Sequence, residues 1–321
     1  MYEAYKPEGA RLGTPENRDY LSSPMGLERA MNSGAIVEGI VTLCDNSLCL
    51  HVDLHCAYGI IPPEEALFCR RGEDRKDIAL ISRVGKPVAF QILALENRGG
   101  VLTAILSRRL AQKRCLQEYL STLRQGDIIP ARVTHLEPFG AFLDIGCGIS
   151  SLLSVDCISV SRISHPRDRL RPGMELFVAV KSIEPDSGRI YVSLRELLGT
   201  WEENAASFEA GQTVAGVIRS VESYGVFVEL TPNLAGLAEL RSGTPEDMRA
   251  RIGQNAAVYI KSMVPERMKI KLVLIDTCCA DAVKSPLRYY VDPTVTAHMD
   301  RWIYSPAASA RIIETRFDQV G

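Results

Sequence analysis

An all-β-dominated chain of tandem five-stranded barrels joined by helical linkers is the fold class this sequence predicts. Three observations predict it. Residues 126–195 and 211–276 repeat one strand-rich unit in register, with Gly126, Gly140 and Phe142 recurring as Gly211, Gly225 and Phe227, and self-similarity of that size marks one small domain used more than once. Within each unit apolar and polar residues alternate with the period of two that marks half-buried strands. About five short strand-like runs per unit, separated by Gly- and Pro-containing turns, suit a small closed barrel.

The N-terminal extension, residues 1–33, is polar over Met1–Arg18 and shows no secretory apolar segment. Residues 34–109 read as an eroded copy of the unit: Gly39 and Gly59 keep the spacing of Gly216 and Gly236, Gly85 opens a fourth strand, and Leu106, Ser107 and Arg108 close it. Its second strand puts Leu48, Leu50, Val52 and Leu54 inward and Ser47, Cys49, His51 and Asp53 outward, so no aromatic platform is expected there. Residues 110–125 are a helical linker. It lies in the helix-forming run from Ser107 to Leu123, where Leu106, Leu110, Leu116, Leu120 and Leu123 are expected to form an apolar stripe against a barrel.

In the unit at 126–195, Ala141, Leu143 and Ile145 alternate with Phe142 and Asp144, which places Phe142 and Asp144 on the solvent face. In the unit at 211–276, Val226, Val228 and Leu230 likewise alternate with Phe227 and Glu229. Phe139 and Tyr224 stand three residues earlier, where an ideal strand would turn them inward. The intervening Gly140 and Gly225 are expected to form a bulge that turns them outward; the alternative is that these two rings edge the core. Each unit continues through a turn (Gly146–Ser151; Thr231–Gly236), a strand opened by glycine (Gly173–Lys181; Gly253–Lys261) and a last strand (Arg189–Leu194; Lys269–Leu274). In the linker at 196–210, Trp201 and Phe208 read as anchors. The tail, 277–321, carries Tyr289, Tyr290, Trp302 and Tyr304 and is expected to dock as an irregular segment with a short helix near 307–315.

These residues resemble the S1 RNA-binding domain family, whose fold is the OB barrel. The resemblance is carried by Gly126, Val133-Thr134, Phe139-Gly140-Ala141-Phe142, Leu152, Gly173 and the run Gly188 to Arg195. It is carried again by Gly211, Gly216-Val217, Tyr224-Gly225-Val226-Phe227-Val228, Gly236-Leu237 and Lys269 to Leu272. The resemblance implies base contacts from Phe139, Phe142, Tyr224 and Phe227, and backbone contacts from Lys181, Arg189, Lys261 and Lys269. Where that family usually has a histidine after its Gly-Leu turn, this chain has Ser154 and Glu239, and Glu239 is expected to repel phosphate. Eroded N-terminal copies in that family dock on the ribosome, so residues 34–109 are the candidate contact with the small ribosomal subunit.

A formal net charge of -2 is unlike a duplex-DNA binder with a basic face, so binding has to rely on local placement. Arg162, His165, Arg167, Arg169 and Arg171 surround a single Asp168 and form a candidate RNA-contacting loop, the alternative being a solvated one. No run approaches the roughly 18 apolar residues of a membrane helix. Nine cysteines, none in a Cys-x-x-Cys pair, point to a reducing compartment and a cytoplasmic protein. The spacing of Cys44, Cys49, His51, His55, Cys56 and Cys69 fits no zinc finger, so neither metal nor cofactor is expected. Phosphate loops, nucleophile elbows and metalloprotease motifs are missing from the sequence, which argues against an enzyme. The expected function is binding of single-stranded RNA, messenger RNA foremost, in translation. A protein-interaction adaptor and an RNA regulator acting away from the ribosome are the alternatives.

Overall fold

The computed structural model describes residues 5–69, 76–239, 248–281 and 287–317. Three closed barrels follow one another along the chain. The first comprises β1 (Val37–Cys44), β2 (Leu50–Asp53), β3 (Tyr58–Ile61), β4 (Pro87–Arg98) and β5 (Val101–Ser107). The second comprises β6 (Ile128–Glu137), β7 (Gly140–Asp144), β8 (Ser150–Ser154), β9 (Glu175–Ile183) and β10 (Ile190–Ser193). The third comprises β11 (Thr213–Glu222), β12 (Gly225–Thr231), β13 (Leu234–Glu239), β14 (Gln254–Val264) and β15 (Lys269–Asp281). In each barrel the first strand pairs with the second and fourth, and the third runs parallel to the fifth.

The alternation read from the sequence fills each barrel. Val41, Leu50, Val52 and Phe90 pack the first, Val133, Ala141, Leu143 and Leu153 the second, and Ile218, Val226, Val228 and Leu272 the third. Burying each of the larger side chains contributes about 1.5–3 kcal/mol.

The N-terminal extension is built into the fold. Its helices, α1 (Pro15–Leu21) and α2 (Pro24–Ser33), begin at Thr14 and Ser23, whose hydroxyls accept from the backbone N–H groups of Asn17 and Gly26. Leu21, Leu27 and Ala30 join the first core, while Tyr5 joins the second. Between them Glu8 accepts from Arg108 Nε at 2.6 Å and from the Ala89 N–H at 3.1 Å, and its own N–H donates to Asp144 at 2.7 Å. One short segment thus ties the first barrel to the second.

After the short α3 (Asp77–Ile81), the linker forms α4 (Arg108–Glu118), and the expected leucines pack around it: Leu106 is buried in the first core and Leu120 in the second, with Leu116 and Leu123 against the second, while the helix itself buries a different set. The buried face is Arg108, Ala111, Gln112 and Cys115. It is polar because it crosses between two barrels that need partners there: Arg108 neutralises Glu8, and Gln112 donates to the Cys147 carbonyl and accepts from the Phe68 N–H. Leu110 and Leu116 are only half-buried. In the second linker, α5 (Trp201–Ala205) buries Trp201 in the third core, with Phe208 packed against it.

The tail does not form a helix near 307–315. Its β16 (Arg301–Ile303) and β17 (Glu314–Arg316) pair as an antiparallel ribbon, since Trp302, Tyr304 and Phe317 bury their rings and Pro306 interrupts any helix between them. The ribbon straps two barrels. The Met299 N–H donates to the Gly126 carbonyl in the second, and the Tyr304 hydroxyl donates to the Asn233 carbonyl in the third. Gly126 has φ +89, and a Cβ there would collide with the Met299 carbonyl. Gly126→Ala is therefore expected to cost on the order of 2 kcal/mol and to release the tail, read as a lower melting temperature and faster proteolysis within 287–317. Unchanged melting and an intact tail would contradict this role.

Candidate nucleic-acid interface

Phe139 and Tyr224 stand at the tips of the hairpins that join the first and second strands of the second and third barrels. They are 55% and 62% exposed. Behind each tip the partner ring lies on the outer sheet face. Phe139 meets Phe142 edge-on at 6.0 Å and 90°, and Tyr224 meets Phe227 at 6.3 Å and 86°. Phe142 and Phe227 are half-buried.

The glycines achieve this differently from the expected bulge. A Cβ on Gly140 would lie 2.5 Å from the Leu153 carbonyl oxygen, and one on Gly225 would lie 2.7 Å from that of Ala238. They let the hairpin close down on the third strand, while the turn itself carries the tip ring outward. The register shifts lie on the neighbouring strand, between Val133 and His135 and between Ile218 and Ser220.

Cross-strand pairing lines up a row on each barrel. In the second, His135, Phe142, Leu152 and Tyr191 are partners in sequence across four strands. The row in the third is Ser220, Phe227, Leu237 and Lys271, and in the first Leu43, His51, Ile60 and Ile105. His135 stacks near Phe142, with centroids 6.4 Å apart and planes 25° off parallel. His135, Tyr191 and Lys271 thus share the face of the rings and are candidate site residues that strand-by-strand reading missed; the signal was their pairing, which one strand alone does not show. In the first barrel the equivalent ring is His51, which is buried and bonded to Asp45 at 2.9 Å. The exposed Tyr58 of the next strand lies 5.4 Å from it, a ring that the second strand's outward residues did not reveal.

The cations divide. Arg189, Lys261 and Lys269 are exposed. Lys181 is half-buried and donates to Cys157 Sγ at 3.0 Å. Burial works against its charge, but Cys157 and Asp156 outweigh this and raise its pKa. In the loop, Arg162, Arg167 and Arg171 face solvent, whereas His165 caps a turn, its Nδ1 accepting from the Arg167 N–H at 3.1 Å.

Arg169 departs from the expected RNA-facing role. Its side chain is 5% exposed and forms a two-pronged pair with Glu229 of the third barrel, at 2.6 and 2.5 Å. Arg219 joins the same carboxylate at 2.8 Å. Glu229 and its counterpart Asp144 do share the face of the rings, as alternation requires, but neither is in solvent. Asp144 is covered by the N-terminal segment, accepting from the N–H groups of Glu8, Gly146 and Gly148, as Glu229 is covered by the preceding barrel's loop. Glu239 is exposed on the strand edge opposite Gly225, beside the Tyr224 tip.

A five-stranded barrel closed in this order, with paired rings on one sheet face, defines the OB class of binding domain, here built in tandem. Residues 122–195 match the S1 RNA binding domain, and the chain resembles the bacterial S1 family. It is 31% identical over 199 residues to the small ribosomal subunit protein bS1 homolog of Bacillus subtilis, covering 59% of this chain and 51% of that protein. To small ribosomal subunit protein bS1 of Rhizobium meliloti it is 29% identical over 202 residues, 60% of this chain and 35% of that one. The chain thus spans about half the length, or less, of the curated relatives it matches. Among solved structures, a multidomain protein with nucleic acid binding domains from Streptococcus pneumoniae aligns over 76% of this chain and 74% of its own, at 16% identity and a TM-score of 0.24.

Proposed function

We propose that the chain binds single-stranded RNA, messenger RNA foremost, through the barrels at 126–195 and 211–276, and acts in translation as a binding protein without catalysis. The observation that carries this reading is the ring pair repeated at the same hairpin of successive barrels, with the tip ring in solvent. Every base offers a π-face, and stacking on an aromatic side chain contributes roughly 1–3 kcal/mol per base whatever its identity. Two such barrels in series raise the effective concentration of the second site once the first is engaged. The Arg169–Glu229 pair favours this by fixing one barrel against the next before RNA arrives. The bS1 relatives, named as small-subunit ribosomal proteins, support a place in translation.

The first barrel, 34–109, is assigned to contact with the small ribosomal subunit. Its row offers Leu43, 52% exposed, and a buried His51 where the other barrels carry phenylalanine. A surface of that kind suits a protein partner better than a base.

The test is oligouridylate affinity as a function of salt. Phosphate contacts on a single strand give a double-logarithmic slope of about -0.7 each, so engagement of Lys181, Arg189, Lys261 and Lys269 is expected to give about -3. A flat response, or no binding at low salt, would overturn the RNA reading. It would favour a protein-interaction adaptor, which the exposed Glu239 beside Tyr224 would suit.

A further inference from the structure

A cavity of about 820 Å³ lies where the second barrel's loop, the second linker, the third barrel and the tail meet. None of the four platform rings lines it. Its volume falls within the roughly 300–1,000 Å³ of small-molecule sites, which occur preferentially at domain interfaces. Four arginines line it, Arg167, Arg169, Arg219 and Arg288, against two acidic residues, Asp168 and Glu229. The cavity is therefore net positive.

Two of those cations are already used. Arg169 and Arg219 share Glu229, and Asp168 lies 4.0 Å from Arg219 while also accepting from the Ser164 and His165 N–H groups. Arg167 and Arg288 are exposed, and among the described residues neither has a carboxylate within ion-pair distance. Arg288 lies over the Tyr290 ring at 4.8 Å, and Phe208 adds a second aromatic side chain to the wall. Guanidinium forks match phosphate oxygens in geometry and charge, and flat rings match a base.

We propose that this cavity binds a nucleotide, its phosphate held by Arg167 and Arg288 and its base against Phe208. The ligand comes from one of two sources: a free nucleotide, or a nucleotide within a strand crossing from the second barrel to the third. The second source rests on the RNA-binding reading above; the first does not.

Calorimetric titration of the full chain with UTP, with an oligouridylate of about 5 nucleotides and with one of about 20 separates these cases, since a single OB barrel occupies about 4–16 nucleotides. The variants are Arg167→Ala with Arg288→Ala, and Phe142→Ala with Phe227→Ala, each checked by circular dichroism. If the ligand is free nucleotide, the arginine variant loses affinity for UTP by about tenfold or more and the ring variant keeps it. If it belongs to a crossing strand, the arginine variant loses affinity for the long oligonucleotide and keeps it for the short one. Wild-type affinity of the arginine variant for all three probes would overturn the proposal. Loss of oligonucleotide binding confined to the ring variant, with UTP affinity unchanged in the arginine variant, would do the same while leaving the platform reading in place.

Discussion

Replacing Phe142 and Phe227 by alanine together is expected to weaken oligouridylate binding at least roughly thirtyfold. The figure follows from removing one stacking partner on each barrel, at about 1–3 kcal/mol apiece. The rings are half-buried on the outer faces of β7 and β12, outside the cores formed by Ala141 and Leu143 or by Val226 and Val228. The variant should therefore keep its circular dichroism spectrum and melt within a few degrees of the wild type. Each alanine also removes the ring against which Phe139 or Tyr224 rests, so part of the loss comes from a tip ring no longer held in place. Wild-type affinity in this variant, with the fold intact, would remove the stacking account.

Glu229→Ala is expected to be the most destabilising single change at the junction of the second and third barrels. It leaves Arg169 and Arg219, both largely buried, without their shared carboxylate. Breaking a buried pair in this way costs about 3–5 kcal/mol, because an uncompensated charge remains. Burial pushes the Glu229 carboxyl up, but the hydrogen bonds and charges of Arg169 and Arg219 outweigh it and hold its pKa below the usual value. The folded-state pKa thus lies below that of the unfolded chain, about 4.3. The contribution to stability is fully present above that pH and fades as pH falls through the folded value. Wild-type stability should show this acid-side loss, and the variant should lack that component. The tail ribbon and the Val160–Asn233 and Ser161–Pro232 hydrogen bonds still tie the two barrels, so affinity for an oligonucleotide long enough to reach both should fall only part of the way towards that of a single barrel. Equal stability of variant and wild type at neutral pH would show that the pair does not hold the junction.

What the sequence made legible is what depends on near neighbours. Alternation within β7 and β12 fixes which residues point inward, because side-chain direction in a strand is set by the residue's own backbone. That places Phe142 and Phe227 on the outer face, and Asp144 and Glu229 with them. It does not say what covers that face. Asp144 and Glu229 lie beneath chain distant in sequence, Glu8 in one case and Arg169 in the other. The arginine-rich loop read as RNA-contacting, or else solvated, for the same reason: Arg169 has its partner in another barrel. His135 escaped notice because the register shift at Thr134 brings it opposite Phe142, which no alternation count along β6 reveals. Around α4 the leucines pack as expected, but the helix also buries Arg108 and Gln112, which the apolar pattern did not show, because a helix wedged between two barrels is selected for hydrogen-bond partners as well as for apolar area. The helix expected near 307–315 gave way to a ribbon, whose buried Trp302, Tyr304 and Phe317 alternate only once Pro306 has broken the segment in two.

Ultraviolet cross-linking of the wild-type chain to uniformly labelled oligouridylate, followed by mass spectrometric mapping of the linked residues, tests the central claim most directly, since zero-length photochemistry requires a base against the side chain. The account predicts uridine adducts at Phe139, Phe142, Tyr224 and Phe227, with His135 and Tyr191 beside them. Adducts confined to other surfaces, with those four rings unmodified, would contradict it.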